Sequence, residues 1–156
     1  MLEKIISGGQ TGVDRAALDA ALAAGFPCGG WCPEGRRSED GPIADRYPLL
    51  VLPGAGYKER TLKNIMDAGG TAILYFGDLE GGTEATAYFC MKKGRPYKLI
   101  DGDEIPVERA VVLLSGFIDE RDIRVLNMAG PRATSKPHAY GYAHAVVAGL
   151  LHHLRR

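Results

Sequence analysis

Three times along this chain an apolar run stops at a turn that opens on glycine or carries several, and helix-like sequence follows. The first instance is Ile5-Ile6-Ser-Gly-Gly-Gln-Thr-Gly-Val13. The second follows residues 71–76 at Gly77-Asp-Leu-Glu-Gly-Gly-Thr-Glu84, and the third is Gly130-Pro-Arg-Ala-Thr-Ser-Lys136. A junction of this kind leaves backbone N–H groups unpaired at a helix N-terminus, where the aligned peptide dipoles favour an anion. Strand and helix patterns alternate throughout. The expected class is therefore α/β, with a parallel sheet covered by helices on both faces. Ligands bind such sheets beyond the carboxyl ends of the strands, where the winding reverses. The three turns together predict one composite site for a phosphate-bearing small molecule.

Residues 3–7 read as a buried strand. Residues 13–24 read as a helix with Val13, Ala17, Leu18, Ala21 and Leu22 on its inward face. A very short strand at 28–31 precedes a polar, Gly/Pro-rich loop at 32–48, and 49–52 is a short apolar run. Helix 58–68 turns Leu62, Ile65 and Met66 inward. Strands follow at 71–76, 97–100 and 123–126, with helices at 84–93, 107–117 and from about His138 to His153. With no repeat or linker, residues 1–156 read as a single domain. The expected strand order sets 72–76 beside 3–7, so that the turns at 8–12 and 77–84 face each other. The turn at 130–136 then sits one or two strands away.

Composition narrows the function. Basic and acidic side chains number 19 each, a zero net charge that argues against nucleic acid as a partner. No apolar run approaches the roughly 18 residues of a membrane span, and the opening Met-Leu-Glu-Lys shows no signal-peptide pattern. Cys28, Cys32 and Cys90 form no complete disulfide framework, so free thiols and a cytoplasmic location are expected. The 21 glycines are about twice the ordinary share of roughly 7%, which suits sharp turns and close backbone approach.

In the first turn, Gly8, Gly9 and Gly12 are expected to present N–H groups from Gly9 through Val13 to the ligand, with Gln10 and Thr11 adding side-chain hydrogen bonds. Asp14, in the first helical turn, either serves the helix dipole or contacts ligand hydroxyls. The spacing matches neither G-x-G-x-x-G nor a phosphate loop ending in Gly-Lys-Thr. In the second turn, Gly81 and Gly82 precede Thr83, a natural N-cap. Glu84 is a helix-dipole residue, a ligand contact or a general base, and it is the one catalytic candidate. In the third turn, Gly130, Arg132 and Ser135 are candidate contacts, with Arg132 able to hold an oxyanion through two N–H groups. Arg36 offers a further cation unless Glu39 and Asp40 satisfy it. No metal site is expected: Cys28 and Cys32 lack a fourth ligand, and His138 and His144 do not share a helix face. With no Ser-His-Asp order and no compelling carboxylate pair, the chain is better equipped to hold an anion than to perform covalent chemistry.

Residues 7–19 (SGGQTGVDRAALD), 29–43 (GGWCPEGRRSEDGPI) and 126–135 (LNMAGPRATS) resemble the molybdenum carrier family. That family belongs to a wider Rossmann-like group that includes molybdenum-cofactor carriers and lysine-decarboxylase-like phosphoribohydrolases. The resemblance implies a three-layer open parallel sheet, self-association into a homo-oligomer, and a pterin-phosphate or nucleotide ligand. The leading expectation is a carrier of molybdenum cofactor (molybdopterin) as cargo. The alternatives are a nucleoside monophosphate phosphoribohydrolase and a nucleotide-sensing module. The phosphoribohydrolases carry Pro-Gly-Gly-x-Gly-Thr-x-x-Glu. Here Gly82-Thr83 match the Gly-Thr pair, but Thr86 stands where that carboxylate belongs, and a hydroxyl cannot serve as a base near neutral pH.

Overall fold

The computed structural model describes residues 1–155. In chain order its elements are β1 (Lys4–Ile6), α1 (Val13–Ala23), β2 (Cys28–Gly29), β3 (Trp31–Cys32), a 3-10 turn (Glu34–Arg36), β4 (Arg37–Ser38), β5 (Gly41–Pro42) and β6 (Leu50–Val51). There follow α2 (Tyr57–Asp67), β7 (Gly70–Tyr75), α3 (Gly81–Lys92), β8 (Tyr97–Asp101), α4 (Val107–Arg121), β9 (Val125–Ala129) and α5 (Ala139–Leu154).

The main sheet runs β2-β1-β9-β7-β8, and every pairing in it is parallel. Strand β7 shows how the residue pattern builds the layers. Its side chains alternate between faces, as the strand period requires. Ala72 and Leu74, with Phe76 just beyond, join the large core under α1, α4 and α5. Ile73 points the other way, into a smaller core with Ile65 of α2 and Ala87 and Cys90 of α3. Helices therefore cover both faces, and the α/β expectation holds. Two further two-stranded sheets, β3-β6 and the β4-β5 hairpin, form outside the main sheet. Among the described residues, no helix is long and apolar enough to cross a membrane.

The strand order corrects the expectation. β9 lies between β1 and β7, with Ile5 opposite Leu126 and Ala72 opposite Met128. The 130–136 turn is thus central, and the turns after β1 and β7 flank it. β9 also runs later than residues 123–126, because a strand paired on both sides extends to Ala129. Leu22 and Met66, expected inward, are 39% and 46% exposed: each lies at the edge of its helix's apolar stripe. The second turn is shorter than expected, since α3 begins at Gly81. Its N-cap position falls on Glu80, and Thr83 is a third-position helical residue.

Candidate functional site

The turns after β1, β7 and β9 converge on one open cavity of about 430 Å³ at the carboxyl edge of the sheet. Its floor carries Gly8, Gln10, Asp14 and Asn127, and its walls carry Tyr57 and Arg60 of α2. The entry of α3 contributes Gly81, Gly82 and Thr83, while Gly130, Arg132, Ser135 and Lys136 come from the β9 turn. Asp78 and Glu80 add acceptors at the mouth. Of the residues singled out from sequence, Gly8, Gln10, Asp14, Gly81, Gly82, Thr83, Gly130, Arg132 and Ser135 meet here.

Gly9, Thr11, Gly12, Arg36 and Glu84 do not line the cavity. The first turn is not a free nest of amides, which corrects the expectation for Gly9, Gln10, Thr11 and Val13. The Gly9 N–H donates to Ser7 Oγ (3.4 Å), Gln10 N–H to Asp14 Oδ2 (3.4 Å), Thr11 N–H to Gln10 Oε1 (3.1 Å) and Val13 N–H to the Pro131 carbonyl (3.2 Å). Arg36 is likewise occupied, but by carbonyls rather than by the neighbouring acids. Its guanidinium donates to Ile43, Leu49, Ala44 and Tyr47 and so staples the long loop. Glu84 is exposed on α3 and is not part of the cavity lining. Thr86, in contrast, lines the cavity and donates back to the Gly82 carbonyl (2.9 Å).

Amides that do lack helical partners sit at the entry of α3. The first intrahelical bond there is Glu84 N–H to Glu80 O. The N–H groups of Gly81, Gly82 and Thr83 therefore have no acceptor within the helix, and all three residues border the cavity.

Glu39 takes a role that its sequence position does not advertise. It accepts from the Thr11 hydroxyl, from the Thr134 hydroxyl (2.7 Å) and N–H (3.2 Å), and pairs with Arg132 (3.9 Å). Burial pushes its carboxyl up, but the Thr11 and Thr134 bonds outweigh that and hold it below the usual glutamate range. Thr11 also accepts the Ala133 N–H (3.1 Å). Together these contacts bind the 32–48 loop to the β9 turn and fix Arg132 at the rim. We expect Glu39→Gln to weaken several charge-assisted bonds at once and lower unfolding free energy by about 1–2 kcal/mol, read from urea denaturation. An unchanged midpoint would remove Glu39 from this role.

Arg60 is one of the residues that sequence reasoning missed. The sequence gives no signal for it, because it sits on α2 among ordinary surface charges. A Cβ on Gly8 would lie 1.8 Å from Arg60 Nη1, so the missing side chain is what lets the guanidinium lie across the turn. Arg60 Nη1 pairs with Asp14 Oδ2 at 3.5 Å, with side chains only 12% and 7% exposed. Tyr57 stands beside them, its ring centroid 5.7 Å from the Arg60 guanidinium and 5.8 Å from that of Arg132.

Burial raises the Asp14 carboxyl to about 6, against the pull of Arg60, the Gln10 N–H, Arg15 and the Gly8 N–H. A carboxyl raised on folding binds more protons in the native state than in the unfolded chain. Its contribution is fully present below about pH 4 and is lost as pH rises to about 6. Wild-type stability minus that of Asp14→Asn should fall across that window and level off above it, as measured by denaturation at several pH values. A flat difference would show that Asp14 titrates normally.

Comparison with known proteins agrees with this architecture. The model of the circularly permutated YpsA SLOG family matches residues 5–151. The crystal structure of a protein from Syntrophus aciditrophicus SB, titled "Putative molybdenum carrier protein", superposes with a TM-score of 0.93. It is 42% identical and covers 96% of this chain and 95% of its own. A search of the curated proteins found no match. The family resemblance drawn from residues 7–19, 29–43 and 126–135 thus stands, and on a match that spans nearly its whole length the chain belongs to the circularly permutated YpsA SLOG family.

Proposed function

We propose that this protein binds and carries a phosphate-bearing small molecule in the cavity between the β1, β7 and β9 turns. We take the cargo to be molybdenum cofactor or a related pterin or nucleotide. The observation that carries this reading is the meeting, in about 430 Å³, of the unpaired amides of Gly81, Gly82 and Thr83 with the side chains of Arg132 and Lys136. Amides at a helix entry and a guanidinium suit phosphate oxygens. Tyr57, half open to the cavity, offers a face for a planar ring. Asp78, Glu80 and Asn127 offer acceptors for the amino or hydroxyl groups of such a ring or its sugar. The likeness to a protein named for molybdenum carriage supports the cargo class. The same reading has the protein working in the cytoplasm, where its unpaired thiols stay reduced, and as a homo-oligomer.

Mass spectrometry and elemental analysis of the purified protein test the proposal. A bound pterin or nucleotide phosphate, with or without molybdenum, is the expected result. Protein that carries none of these, and that fails to bind them in calorimetry, would overturn it. Arg132→Ala should weaken binding by about 1.5 kcal/mol, the low end for a charged hydrogen bond, because Arg132 is partly exposed and shared with Glu39. Unchanged affinity would take Arg132 out of the site.

A further inference from the structure

Beneath the rim, the cavity floor holds a buried ion pair that the phosphate contacts proposed above do not use. Arg60 comes from α2 and Asp14 from the start of α1, and they meet at 3.5 Å over Gly8. The pair is under-satisfied. Arg60 Nε is buried and finds no hydrogen-bond partner among the described residues, and neither does Nε2 of Gln10, which is itself 93% buried beside the same carboxylate. The Gln10 orientation is fixed, because its Oε1 accepts the N–H groups of Thr11 and Glu39. Buried donors without acceptors are uncommon in native proteins and call for an explanation. Both residues line the cavity in which a ligand is expected, although these two donor atoms are themselves covered.

We propose that Arg60 and the Gln10 side-chain amide form an oxyanion subsite on the cavity floor, and that Asp14 takes up one proton from solvent when that subsite fills. The inference rests on the reading of the cavity as the site of an oxyanion-bearing molecule, and it adds a deep anchor distinct from the rim. A guanidinium has five N–H donors in a fork that matches two oxyanion oxygens, whereas Asp14 engages one of them. An incoming anion brings a second negative charge beside a buried carboxylate, and like charges that share one site cannot both stay ionised cheaply. The charges acting on Asp14 are Arg60 from α2 and Arg15 on α1, with backbone N–H groups of Gly8 and Gln10 from the β1 turn. Across the cavity stand Arg132 and Lys136 from the β9 turn and Asp78 and Glu80 ahead of α3. A carboxyl that burial already holds at about 6 needs only a modest further push to protonate near neutral pH.

The test is calorimetric titration of the full chain with sulfate, in two buffers of different ionisation enthalpy. Sulfate is chosen because it does not itself titrate near neutrality. Native protein should take up a fraction of one proton per sulfate. Its affinity should fall with rising pH between about pH 6 and about pH 8, by at most roughly tenfold per unit. Asp14→Asn should take up none, show flat affinity, and bind more tightly than native protein at the upper end. Sulfate binding by native protein without proton exchange would overturn the proposal even where the variant does not fold. So would an Asp14→Asn variant that keeps the native pH slope. Adenosine monophosphate is the second arm. If it binds and sulfate does not, the subsite is wrong and the carrier reading stands; if neither binds, the subsite falls, and the carrier reading is judged by the mass spectrometry and elemental analysis above.

Discussion

Gly12→Ala should lower unfolding free energy by about 3 kcal/mol or more and open the cavity with it. Gly12 sits at φ +81°, ψ −129°, a backbone conformation that an L side chain occupies only under strain of about 1–3 kcal/mol. A Cβ there would lie 2.3 Å from the Pro131 carbonyl oxygen and 2.9 Å from the Arg132 carbonyl carbon. Both are backbone atoms, which cannot swing aside as a flexible side chain can, so overpacking adds a further 1–3 kcal/mol or so. The forced separation also breaks the bonds that stitch the two turns together, from Val13 N–H to Pro131 and from Ala133 N–H to Thr11. Arg132, Ser135 and Lys136 follow directly on the displaced segment, so ligand affinity should drop along with stability. Urea denaturation and calorimetry on the variant measure the two effects. A variant within about 0.5 kcal/mol of native, the range of an ordinary surface change, would show that the turns do not depend on this contact.

The second large effect is expected at Leu126→Ala, which should cost about 2–5 kcal/mol. Leu126 is fully buried in β9, the middle strand of the five, opposite Ile5 on one side and Gly70 on the other. Truncation leaves a cavity in the core beneath α1, α4 and α5, and neighbours clamped from both sides can close it only in part. The urea midpoint should fall while the slope with denaturant stays constant, as for a loss of stability without a change of compactness. A shift below about 1 kcal/mol would indicate that the core relaxes around the missing atoms.

The two substitutions also divide what was legible in the residues from what was not. Leu126 is an apolar residue in an apolar run, and its burial follows from pattern alone. The same holds for Ile5, Ile73 and Leu74, and for the alternation of strands and helices that gives a parallel sheet covered on both faces. The turns at 8–12, 81–84 and 130–136 were visible too, because glycine pairs at 8-9 and 81-82 and the Gly130-Pro131 step interrupt strong periodic segments. Helix edges were less legible. Leu22 and Met66 are apolar enough to suggest burial, yet they fall just outside the stripes that pack.

Within the site, the division follows the reach of each interaction. Gly81 and Gly82 at a helix entry and Arg132 in the third turn were identifiable, since a helix start and a lone guanidinium are local features. Their order around the cavity was not, because β9 inserts between β1 and β7 and strand order is set by non-local pairing. Arg36 looked like a free cation until four carbonyls of the folded loop claimed it. Arg60 looked like any helix-surface charge until α2 packed beside the β1 turn.

Sequence by itself determined the layers, the glycine turns and the family, because period, turn chemistry and motif are properties of neighbouring residues. Tertiary structure alone decided which turn is central, which amides remain unpaired, and that Asp14 and Arg60 share a buried floor across 46 residues of chain. Those outcomes depend on desolvation and on contacts between distant segments, and no local pattern of residues encodes either.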